Sequence, residues 1–180
     1  MLEVDDQGWA VGPITPRPIE EAWSLLSPEA EGRVDAARWS HQARTFFAAR
    51  LVVVQEKRYP SGTLPLADAV EIDVTPLRAP GETSRVLVIT MPLDRAPAAR
   101  AAATAGVVAI GGAGMDVVVA RGRRLWQVAA RTEGADDRAP LAVAAVLASV
   151  FLAPIVPPGG GTIFGVKGAR LRLEAQGWRT

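Results

Sequence analysis

Asp94-Arg95-Ala96-Pro97 recurs as Asp137-Arg138-Ala139-Pro140, and each copy stands between a pair of strand-like stretches and an apolar, helix-like run. A unit that cannot bury its own apolar face gains stability by pairing with a copy of itself, so the recurrence is read as a fold signal. Ahead of the first copy, Val70–Thr75 and Arg85–Thr90 have strand composition and are parted by the turn residues of 78–84. Ahead of the second, Met115–Ala120 and Arg124–Ala130 repeat the pattern across Arg121-Gly122-Arg123. In each copy the Asp suits a helix cap and the Pro suits a first helical turn. The expectation is a ββα repeat over residues 70–112 and 115–161.

Outward from the repeat, Ile19–Leu26 reads as a short helix between prolines, and Val34 toward Arg50 as a second carrying Trp39, Phe46 and Phe47. The β-branched run opening Leu51–Tyr59 favours a strand. In Ala169–Glu174, Arg170, Arg172 and Glu174 alternate with Leu171 and Leu173, the pattern of a strand with one wet face. The resulting fold class is α+β: an antiparallel sheet with helices packed on one face. A single domain over 1–180 is expected, with an N-terminal helical segment at 16–50 and an α+β body at 51–180. The element order is loosely similar to that of the small dimeric chaperones of type III secretion, at the level of fold alone.

The chain has 180 residues, 49% of them hydrophobic, and a formal net charge of +1, so no long-range field recommends nucleic acid as a partner. Its cations are 18 Arg and only two Lys, Lys57 and Lys167. With no cysteine there is no disulfide, thiolate metal site or thiol nucleophile. The acidic start, Met1 to Asp6, lacks the pattern of a secretory signal, and a cytoplasmic location is expected.

Residues 139–166 carry no charge, and 141–153 are almost wholly apolar. That run meets Pro154 well short of the roughly 20 residues a membrane span needs, so it is read as a buried helix. A membrane-associated protein using helices 97–110 and 140–153 is the minor alternative.

Catalytic signatures are absent from the sequence. Gly111-Gly112-Ala113-Gly114 has neither dinucleotide nor Walker spacing and reads as a helix end. Glu71 and Asp73 lie two apart on one strand, which cannot supply carboxylates facing across a cleft. His41 is the only histidine, with no second His to complete a metal site. No catalytic residue, metal or cofactor is therefore assigned. Arg121, Arg123, Arg124 and Trp126 combine the residue types of protein-interface hot spots at an expected hairpin tip. Trp9 and Trp178 should dock both chain ends.

The composition points first to a non-enzymatic protein-interaction module, adaptor-, immunity- or chaperone-like, with a protein partner and possible homodimerisation. The alternative is a small-molecule-binding protein or enzyme with an apolar pocket between sheet and helices, rimmed by His41 and Arg44.

Overall fold

The computed structural model describes residues 2–59, 62, 66–131 and 136–180. One antiparallel sheet organises the chain. Its strands are β1 (Trp23–Ser27), β2 (Ala49–Val52), β3 (Asp68–Pro76), β4 (Ser84–Pro92), β5 (Arg124–Ala130) and β6 (Ile155–Val156), in the order β2-β3-β4-β5-β1-β6. The helices are α1 (Ala36–Phe47), α2 (Pro97–Ala109), α3 (Met115–Ala120), α4 (Arg138–Phe151) and α5 (Val166–Ala175). The α+β class and the antiparallel sheet are as the sequence indicates.

Strand alternation divides the core in two. Leu25, Val86, Val88, Trp126 and Val128 point to the layer holding α1, α4 and α5, whereas Leu26, Leu87, Ile89, Met91 and Leu125 point to the layer holding α2 and α3. Three helices thus share one face, and the opposite face receives a smaller layer of its own. α4 is the centre of the larger layer, packed against α1 and α5, with every residue from Ala139 to Phe151 except Ser149 buried. This all-round burial is what an apolar helix without a polar face requires. No helix among the described residues is long and apolar enough to cross a membrane.

The ββα repeat is not confirmed. Residues 70–112 do contain β3, β4 and α2, but 115–161 run helix, strand, helix, because Met115–Ala120 is α3. The two Asp-Arg-Ala-Pro copies also differ in use. Pro97 opens α2 behind Ala96, while Pro140 lies inside the first turn of α4, and neither helix receives a side-chain cap from the expected Asp. Asp136 fixes the start of α4 instead, accepting from the Arg138 backbone N–H at 3.0 Å and pairing with its guanidinium. That pairing holds the Asp136 carboxyl below its ordinary pKa and the Arg138 guanidinium above its own.

Other expectations change with tertiary context. Ile19–Leu26 is no helix: a 3-10 turn at Ile19–Glu21 leads into β1, which lies between β5 and β6 so that Leu25 and Leu26 enter opposite layers. Sheet pairing outweighs the helical spacing there. Residues 169–174 form α5 rather than a strand, with Ala169 and Leu173, four apart, as its buried positions. α1 ends at Phe47 through a left-handed Ala48, and β2 begins at once. Because β2 covers only the far half of β3, the chain near the N-terminus completes that edge: Ala10 N–H donates to Ala69 O and Glu71 N–H to Gly8 O, both at 2.8 Å. Trp9 and Trp178 are both buried.

Candidate functional site

Two features of the surface follow from this architecture. The first lies at one end of the sheet, where β1 and β4 finish and β3 and β5 begin. Ser27, Arg124, Thr90 and Asp68 sit there, buried, with Ser27 opposite Arg124 and Asp68 opposite Thr90 in register. Their alternation places them on the α1–α4 face, where the apolar residues of the neighbouring positions give way to polar ones.

Arg124 ties this end together. Its Nε donates to Ala30 O at 2.6 Å, and its guanidinium NH1 donates to Leu66 O and Thr90 Oγ1, each at 3.2 Å. One cation thereby joins the connection leaving β1 to the connection entering β3. Burial pulls its pKa below the ordinary arginine value. Gly32 is fitted around it, since a Cβ there would lie 2.6 Å from the guanidinium nitrogen.

Beside this row, Asp68 accepts from Lys57 Nζ at 2.9 Å and from the Tyr59 hydroxyl at 3.0 Å. Burial, with the charge and hydrogen bond of Asp68, pushes the Tyr59 phenol far above its ordinary pKa, so it remains a donor. Lys57 and Tyr59 line an open cleft of about 620 Å³ between residues 33–35 and 55–59. Both residues lie between β2 and β3 in the chain. Neither Lys57, Tyr59 nor Asp68 was singled out from sequence. The available signal is that Lys57 is one of only two lysines in a chain with 18 arginines.

The second feature is the helical pair α2–α3. Arg100 donates to Gly122 O at 3.2 Å, which brings the start of α2 to the end of α3 and leaves residues 110–114 as the tip. The inner face of α2, Ala99, Ala103, Gly106 and Val107, packs on the sheet layer. Gly106 is required there, because a Cβ would stand 2.6 Å from Thr162 O. The turn is made by Gly111, Gly112, Ala113 and Gly114, all with positive φ.

The outer face is apolar. The segment 97–120 has only Arg100 and Asp116 as charged residues. Val108, on the side of α2 opposite Ala99, Ala103 and Gly106, is 76% exposed and Val117 on α3 50%, while Ile110, at the end of α2 on the Ala103–Gly106 stripe, is 36% exposed. Behind them, at the base of the pair, Arg95, Arg121 and Arg123 are exposed.

The four residues read from sequence as one binding cluster are therefore divided. Arg121 and Arg123 are on the surface at this base, Arg124 is the buried strut, and Trp126 is in the core. Trp126 stacks on Phe151 at 5.1 Å and meets Trp39 edge-on at 5.4 Å. The expected hairpin does not form, because β5 is preceded by α3. Those rings pack in the core between the sheet and α4. His41 and Arg44 are exposed on α1 and line none of the described clefts. Glu71 is 9% exposed and pairs with Arg131 and Arg85. Among the described residues no group of three or more His, Asp or Glu is placed to hold a metal ion.

No family model, curated protein or solved structure matches this chain. Its functional reading rests on the chemistry of its own surfaces.

Proposed function

We propose that this chain is a protein-interaction module whose recognition element is the α2–α3 pair: the apolar outer face packs against a partner, and the arginines at its base meet the partner's carboxylates. The observation that carries the reading is the exposure of Val108 and Val117 on one almost uncharged segment. Large apolar side chains exposed on one almost uncharged segment are candidates for an interaction surface. It is not spent on folding, because α2 buries its other face. Ala98, Ala101 and Ala105 are exposed alongside Val108, and side chains this small allow a partner helix to approach closely. Arg95, Arg121 and Arg123 supply charge at the rim, where it governs encounter and selectivity more than affinity.

The small-molecule reading would draw on open clefts, one lined by Lys57 and Tyr59 and one by Trp23, Val128 and Pro140. The membrane reading loses one of its two helices, since α4 is enclosed.

Two double variants test the proposal: Val108→Asp with Val117→Asp, and Arg121→Glu with Arg123→Glu. Both should unfold as the native chain does while losing a stoichiometric protein complex formed in the native cell. A complex that survives both pairs refutes the assignment, as does binding to anionic vesicles in place of a protein.

A further inference from the structure

Lys57 places its ammonium inside a cage built by other parts of the chain. Nζ lies 2.9 Å from Asp68 Oδ2, 5.2 Å from the centroid of the Trp9 ring and 5.7 Å from that of Tyr59. Each wall is held by bonds that do not involve Lys57. The Trp9 indole N–H donates to Gln55 O at 2.7 Å, and the Trp9 backbone bridges Val70 at the sheet edge. The Tyr59 hydroxyl donates to Asp68, whose other oxygen accepts from the Ala69 N–H at 2.9 Å. Two fixed rings and one buried carboxylate form the usual receptor for an organic ammonium ion.

Residue type supports this. In a chain with 18 Arg and two Lys, the cage holds a lysine. A compact ammonium fits between ring faces and a single carboxylate oxygen, whereas a guanidinium favours a planar, two-point partner. The cage also has a mouth. The Lys57 side chain is 35% exposed, and Lys57 and Tyr59 open on the cleft of about 620 Å³. Its lining includes Arg33 and Arg58 together with Asp35 and Glu56, a balance of charge that does not repel an entering cation.

We infer that the Trp9–Tyr59–Asp68 cage is a recognition site for alkylammonium ligands, primary or methylated, and that Lys57 is its tethered occupant, displaced when such a ligand enters from the cleft. The site is separate from the α2–α3 surface. A tethered competitor acts at an effective concentration in the millimolar range, so free amines bind the native chain weakly and the emptied cage more tightly.

The test is thermal unfolding of full-length Lys57→Ala with methylammonium or trimethylammonium chloride, against matched sodium chloride and neutral tert-butanol. Both amines should restore the lost melting temperature saturably, the controls should not, and Lys57→Ala with Asp68→Asn should show no restoration. Failure of both amines, or equal recovery with sodium chloride, overturns the inference. Lys57→Gln, which keeps the side-chain stem, serves by the same criteria if Lys57→Ala does not fold. On the native chain, saturation transfer to the trimethylammonium methyl protons should be detectable at tens of millimolar amine and disappear in Asp68→Asn. Transfer that is absent from the native chain, or unchanged in Asp68→Asn, overturns the inference without recourse to any Lys57 variant.

Discussion

Replacing Arg124 with Ala removes three hydrogen bonds, to Ala30 O, Leu66 O and Thr90 Oγ1, from a position that is nearly solvent-free. Hydrogen bonds to a charged group contribute roughly 1.5–3 kcal/mol each, but the two carbonyls belong to connections and can regain water. Relief of the desolvated charge offsets a further part, since burial already lowers the Arg124 pKa. The net expectation is a loss of about 3 kcal/mol, or about 6–12 °C in Tm for a domain of this size. Arg124→Lys, able to reach fewer acceptors, should cost about half as much. Arg121→Ala and Arg123→Ala, exposed at the base of α2–α3, should stay within about 0.5 kcal/mol of the native chain. Urea unfolding followed by tryptophan fluorescence measures all four.

A double-mutant cycle sharpens the comparison. Gly32→Ala pushes a methyl against the guanidinium and, less closely, Thr90, so it should be clearly destabilising in the native background and markedly less so once Arg124 is Ala. A cost below about 1 kcal/mol for Arg124→Ala, or additive effects of the two substitutions, would refute the strut.

Tyr59 is the only tyrosine, so near-ultraviolet tyrosinate absorbance reads it alone. Its folded pKa is raised, so the stability it contributes is complete below the ordinary tyrosine value of about 10 and is lost as pH rises through the folded value. Tyrosinate should appear only as the chain unfolds, and ionisation at the ordinary value in folded protein would contradict the Asp68 contact. Leu147 is fully buried on α4, and Leu147→Asp should yield no folded chain; a native-like circular dichroism spectrum would exclude α4 as the core. Leu152 ends α4 with φ 53° and is 79% exposed, so Leu152→Gly should raise stability by about 0.5–1 kcal/mol, measured by thermal unfolding.

What the sequence reveals depends on whether an element's pattern is local. β3, β4, β5, α2 and α4 are legible because β-branched runs, turn clusters and an all-apolar stretch each specify one outcome. β1 is not, because Trp23 and Leu26 satisfy a helical spacing and only the pairing with β5 and β6 makes the segment a strand. α3 and α5 fail in the opposite sense. Val117-Val118-Val119 has strand composition and Ala169–Glu174 has alternation, yet β5 is already flanked by β4 and β1. The cage joins Trp9, Lys57 and Asp68 from separate segments, so no spacing rule connects them. Similarly, Arg121 and Arg124 are three positions apart, but only the sheet register sends Arg124 inward.

A photo-reactive amino acid at position 108, activated in the native cell, tests the central claim most directly, with a matched probe at Val54 as control because that residue is also largely exposed. The account predicts one discrete protein adduct from position 108, reduced by Arg121→Glu with Arg123→Glu and missing from position 54. No adduct at position 108, or the same products from both positions, would contradict the α2–α3 surface as the recognition element.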